Sequence, residues 1–165
     1  MFEKVLVCLD GSELAEQILP YVTEEALRFR SKVVLVRVAT IPIIVPIPGA
    51  GMEAAAPAYQ ETASFTTELV VEQQIERGEK EARVYLERMG RTLEEKGLDV
   101  EWVVQQGTPG EAIVKYAGEN MVTLIAITTH GRSGLGRVIF GSVADFVVRE
   151  SGLPVLLVRP QEAEG

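Results

Sequence analysis

The sequence predicts an α/β fold: a single doubly wound sheet of five parallel strands with helices on both faces. Three observations carry this. Five short β-rich runs alternate with helical patterns, four of the runs are almost wholly apolar, and 165 residues suffice for one domain with a proper core. A strand covered by helices on both faces needs apolar side chains on both, so it reads as a continuous run instead of an alternating one. Repeating β–α–β order implies right-handed crossovers and a doubly wound sheet.

In chain order, the first strand is Lys4–Leu9 (KVLVCL). Ser12 is placed to cap a helix over Glu13–Phe29, which carries Leu14, Ile18, Tyr21, Val22, Ala26 and Phe29 at helical spacing. Lys32–Val38 (KVVLVRV) is the second strand. Ala39–Ala63 then holds four prolines with Gly49 and Gly51, so the stretch of about 40–63 is predicted as a non-helical excursion at the carboxyl end of that strand. Its apolar IPIIVPIP segment suits a lid or a partner contact better than a solvated linker.

Gln73–Lys96 is predicted as a long charged helix with Ile75, Ala82, Leu86, Met89 and Leu93 on one stripe, stopped by Gly97. Val100–Gln105 alternates through Glu101 and Gln105, as suits a strand nearer an edge. Thr108-Pro-Gly-Glu111 has the form of a capping box opening a helix to about Gly118. Thr123–Thr128 is the fourth strand, Ser142–Ser151 the last helix and Pro154–Val158 the fifth strand. These elements make one domain over residues 1–160, followed by an acidic tail, 161–165.

Net charge is −8, which disfavours nucleic acid as a main partner because backbone binders present a basic face. No apolar stretch reaches membrane-span length, none resembles a signal peptide, and one cysteine, Cys8, makes no disulfide framework. A cytoplasmic protein without a membrane partner is the expectation. The charge is uneven. From His130 to Arg149, three arginines (Arg132, Arg137, Arg149) face one acid, Asp145, giving +2 and leaving −10 for the rest. A locally cationic segment in an acidic chain suggests a small anionic ligand.

In an open parallel sheet, ligands bind beyond the carboxyl ends of the strands, where the strand order reverses. The most informative segment there is Thr128–Ser142 (TTHGRSGLGRVIFGS), with glycines at 131, 134, 136 and 141 between a buried strand and a helix. Glycine lets backbone amides approach an anion, and a helix amino end at Gly141-Ser142 favours phosphate. A glycine-rich surface loop with no ligand satisfies the same composition. The sequence has no G-x-x-x-x-G-K followed by Ser or Thr, and GRSGLG runs G-x-x-G-x-G, the reverse of the dinucleotide fingerprint. His130 has no evident nucleophile and orienting acid beside it, so a loop-structuring role is expected; Cys8, in a buried strand, reads as an inert thiol.

The chain resembles the universal stress protein family. KVLVCLDGSELAEQIL is similar to the family's first strand, acidic turn and helix, VVLVRV to its second strand, and QQGTPGEAIVKYA to its third strand–helix junction. THGRSGLGRVIFGSVADFVVRESGLPVLLV is similar to its closing signature. ATP-binding members carry G-x-x-G, nine residues, then Gly and Ser or Thr; here Gly131 and Gly141-Ser142 fit, and Thr128 replaces the first glycine. The resemblance implies strand order 3-2-1-4-5 with the site between strands one and four. It implies ATP or another adenine nucleotide as cofactor: Asp10 at the ribose or at a phosphate-bound Mg²⁺, Cys8 and Leu9 lining the site, and Val38 meeting adenine. Ile127 and Thr128 would border the sugar, and Gly131, Gly141, Ser142 and Val143 would hold phosphates. Arg132 is added from its charge and its place in the loop. The family also implies a homodimer joined through the last strand, with a further protein partner unnamed.

The expected function is therefore a regulatory module that binds nucleotide with little or no hydrolysis. The other readings are an interaction module whose site is eroded at Thr128, or a weak ATPase. A phosphoacceptor receiver domain is disfavoured, since Asp10 stands alone after the first strand and the third ends in Gln105-Gln106-Gly107.

Overall fold

β1 (Lys4–Cys8) is the strand on which the sheet is built, bonded in parallel to β2 (Lys32–Ala39) on one side and to β4 (Leu124–Thr128) on the other. The structure, a computed structural model, describes residues 1–40, 57–129 and 141–161. β3 (Val100–Gln106) pairs with β2 and β5 (Val155–Val158) with β4, giving the all-parallel order β3-β2-β1-β4-β5. This is the order that the resemblance implies. β3 is an edge strand, as its alternating sequence suggests.

Alternation along the strands explains the continuous apolar runs. Val5, Val7, Val33, Leu35, Leu124 and Ala126 point to one face and form one cluster with Ile18, Val22, Ala26, Leu86 and Leu93. Leu6, Cys8, Val34, Val36 and Ile125 point to the other and pack on Ile113, Ala117, Ala144 and Val147. The first face is covered by α1 (Glu13–Glu16), α2 (Leu19–Phe29) and α3 (Pro57–Glu94), and the second by α4 (Pro109–Glu119) and α5 (Ser142–Glu150). The core is thus two apolar layers separated by the sheet. Among the described residues no helix is long and apolar enough to cross a membrane.

Three helix expectations are corrected. The predicted Glu13–Phe29 helix is two helices, because Pro20 has no N–H to give the Glu16 carbonyl and its ring would clash with it. The chain turns at Gln17-Ile18 through bonds that span three residues, Gln17 N–H to the Leu14 carbonyl and Ile18 N–H to that of Ala15. Tyr21 and Phe29, placed on the buried stripe by spacing, are 56% and 52% exposed. The long helix starts at Pro57 and not at Gln73, so residues 57–63 of the predicted excursion belong to it, with Pro57 at its opening position. Finally, Thr108 caps α4 by position alone. Its backbone carbonyl accepts from Ala112 N–H, but its hydroxyl makes no capping bond. Excursion residues 41–56 and tail residues 162–165 lie outside the described residues.

Ile125 is fully buried on β4 beneath α4 and α5. Ile125→Ala is expected to lower the unfolding free energy by about 2–5 kcal/mol. Urea denaturation should show it as a lower midpoint with unchanged slope.

Candidate functional site

Strand order reverses at β1: the chain passes to β2 and β3 on one side, then returns to β4 and β5 on the other. The helices that follow β1 and β4, α1 and α5, lie on opposite faces of the sheet, and a cleft of about 470 Å³ opens at the carboxyl ends of the strands. Its floor comes from β1 and its continuation, Cys8 and Leu9, with Leu9 N–H still bonded to the Val36 carbonyl at 2.9 Å. Asp10 stands at the rim. Its Oδ1 accepts from Ser12 N–H at 2.8 Å and from Ser12 Oγ at 2.6 Å, while Ser12 Oγ accepts from Ala15 N–H at 3.1 Å. One hydroxyl thus ties the carboxylate to the amino end of α1, and the Ser12 cap read from the sequence is present.

β2 contributes Val38 to the cleft, and β4 contributes Ile127 and Thr128. Thr128, 4% exposed, is the last residue of β4 and sits in register with Val158, so its Cβ is held by the sheet. Gly141, Ser142 and Val143 line the opposite wall, with Gly141 at the N-cap of α5 and Ser142 its first residue. The unpaired N–H groups of that helix end accordingly border the cleft. Nine of the eleven residues predicted from the sequence surround this one space. Gly131 and Arg132 lie outside the described residues, as does His130. Of the cationic segment, Arg149 is in the last turn of α5, where it pairs with Asp145 at 2.6 Å on an exposed face and not with the cleft.

Two contributions were missed. Arg37 of β2 lines the cleft, its guanidinium 5.2 Å from the centroid of the Tyr85 ring and hard against Gly11. Gly11 has φ +92°, and a Cβ there would stand 2.9 Å from Arg37 Cζ. The turn after β1 needs glycine for its left-handed backbone, and a side chain there would push the end of the Arg37 side chain aside. The signal was legible: Arg37 is the charge that interrupts an otherwise apolar strand. The second contribution is the wall formed by α3 through Gln74, Ile75, Gly78 and Glu81. Its signal was Gly78, an isolated glycine inside a charged helical pattern.

Burial pushes the Cys8 thiol up to about 12 and the Tyr85 phenol upward as well, the latter helped by the negative charges of Glu16 and Asp10. Cys8 is neutral at physiological pH and acts as an apolar floor, not a nucleophile. The cleft as a whole joins an apolar floor to the Asp10 carboxylate, the Arg37 guanidinium, a mixed wall that includes Gln74 and Glu81, and a helix amino end. Such a surface suits a ligand with a flat apolar part and an anionic part. Among the described residues no group of three or more His, Cys, Asp or Glu gathers to hold a metal by itself.

The sequence profile of the Universal stress protein family matches residues 1–159, and the chain belongs to that family. Universal stress protein MJ0531 of Methanocaldococcus jannaschii is 26% identical over 164 residues, 99% of this chain and 86% of the relative. Among solved structures, protein MJ0577 of the same organism superposes with a TM-score of 0.74 at 26% identity, covering 99% of both chains. An Arabidopsis thaliana universal stress protein family protein with AMP bound has a TM-score of 0.59 at 15% identity (98% of this chain, 94% of that one). A universal stress protein in complex with cAMP has 0.53 at 20% (94% and 95%). These last two share the fold.

The folded chain retains the Cys8 proton that the unfolded chain releases above its ordinary 9.0. The stability this group contributes is complete below pH 9 and is lost as pH rises towards about 12. Unfolding free energies measured between pH 9 and 11 should fall less steeply for Cys8→Ala than for the wild type. At pH 8 a thiol-reactive dye should label Cys8 readily in denaturant and slowly in buffer.

Proposed function

We propose that the cleft binds an adenine nucleotide, ATP in the first instance, as a signal with little or no hydrolysis. The observation that carries this reading is the convergence of Asp10, Val38 and the Gly141-Ser142 helix end on one space of nucleotide size. In this reading the phosphates lie at the amino end of α5, the ribose faces Asp10, and the base lies against Val38 and the apolar floor. Gly131 and Arg132 would complete the phosphate side from outside the described residues. The AMP and cAMP bound by two proteins of the same fold support the ligand class. Asp10 would hold Mg²⁺ jointly with nucleotide phosphates, the usual arrangement for that ion. A P-loop lysine is missing from the sequence, which favours a sensor over a fast phosphoryl-transfer enzyme.

Calorimetric titration of the purified chain with ATP, with and without Mg²⁺, tests the reading; no heat of binding at millimolar nucleotide sinks it. Asp10→Ala should weaken ATP about tenfold, roughly 1.4 kcal/mol. Thr128→Gly removes the Cβ at the first position of the G-x-x-G pattern that the resemblance implies and should tighten binding.

A homodimer formed through β5 is the second part of the proposal. β5 is outermost in the sheet, and Val155, Leu156 and Leu157 are only partly buried. The N–H groups of Ile125 and Thr129 donate to the carbonyls of Pro154 and Val158, so strict alternation turns the Val155 and Leu157 backbones outward. Sedimentation equilibrium should give twice 18.0 kDa. Leu157→Pro, which deletes an outward donor, should give the monomer mass with an unchanged circular dichroism spectrum.

A further inference from the structure

α3 runs along the β2 side of the cleft and borders it with residues 74, 75, 78 and 81, one stripe of the helix. Gly78 sits within that stripe. Glycine is the poorest of the ordinary helix formers, and in a helix interior it is usually offset by something. Two other helical glycines show what offsets it. A Cβ at Gly90 would come 3.0 Å from the Trp102 ring, and one at Gly110 would come 2.8 Å from that of Phe146. Both glycines permit close packing. Gly118, which also faces open space, lies next to the end of α4, where the helix is about to stop. Gly78 has neither reason: it is far from either end of α3, and a Cβ there meets no described atom within 4 Å. What lies beyond it is the cleft.

Sheet order says which end of a ligand would arrive there. With phosphates at the amino end of α5, a nucleotide crosses from the β4 side over β1 to β2, and α3 packs on β2 and β3 beyond. The end remote from the phosphates is the base. Resting on the nucleotide reading above, we propose that Gly78 is a base-size determinant: its missing side chain keeps open the volume that the base enters. Gln74, one turn away on the same wall, presents an amide that both donates and accepts at the base edge.

The test uses the full chain as wild type, Gly78→Ala and Gly78→Leu, titrated calorimetrically with ATP and with inorganic tripolyphosphate, and with Tm recorded for each. Leu and Ala are better helix formers than Gly, so Tm should hold or rise. Gly78→Leu should weaken ATP at least tenfold and leave tripolyphosphate affinity unchanged, with Gly78→Ala between. ATP affinity unchanged in Gly78→Leu overturns the proposal, as does an equal loss for ATP and tripolyphosphate. A lowered Tm with ATP binding intact overturns it too, because the space would then be filled by the chain itself. If the wild type binds no ATP, the nucleotide reading falls and takes this inference with it. If the wild type binds and Gly78→Leu matches it, only the role of Gly78 falls.

Discussion

β1 has no exposed side. Its backbone is bonded to β2 and β4, and its side chains from Val5 to Cys8 are buried alternately under the two helical layers. A parallel strand can be held in this way only if both faces are covered, which requires crossover helices above and below the sheet. Because β1 is central, the chain must leave it towards β2 and later come back to its other flank as β4. The cleft follows from that topology: with α1 and α5 on opposite faces, a gap is left at the strand ends. Burial of the four side chains from Val5 to Cys8 in the middle of the sheet thereby locates the cleft.

The rim of the cleft is organised by short-range polar contacts. Asp10 is held by Ser12, Ser12 caps α1, and Arg37 lies between Gly11 and the buried ring of Tyr85. Arg88 approaches the same ring at 5.8 Å, so Tyr85 carries cations at two positions. The exposed ion pairs along the helices, Arg77–Glu81, Arg91–Glu87 and Asp145–Arg149, are spaced four residues apart and solvent-screened. They support their own helices and do little for the fold. Stability resides in the two apolar layers. Asp10 and Arg37, the charged groups at the strand ends, border the cleft.

The strands were legible because burial on both faces leaves a simple mark, an unbroken apolar run, and the structure moves their ends by no more than a residue. Helix interiors were legible from spacing, but their boundaries depended on single prolines. Pro20 lies inside an apolar period that continues from Ile18 to Val22, so the period hid the break. Pro57 was read with the prolines before it as part of a loop, although a proline is equally at home in the first turn of a helix. At the site, residues adjacent in sequence to strand ends were found because topology places all strand ends together. Arg37 and the α3 wall were not found, since their approach depends on how a helix from a distant part of the chain lies across β2. Loop residues Gly131 and Arg132 were read from glycine spacing and charge alone, with no packing pattern behind them.

The close approach at Gly11 has a consequence for substitution. A guanidinium lies where a Cβ at position 11 would be, so no larger residue is admitted there while Arg37 keeps its place over Tyr85. Losing the arginine removes part of that constraint, although the left-handed backbone at 11 still favours glycine. Positions 11, 37 and 85 are therefore mechanically coupled: a side chain at 11 meets the guanidinium that rests over Tyr85. Shortening the side chain at 37 would free space at 11, while Tyr85 would stay held by the core around it and by Arg88.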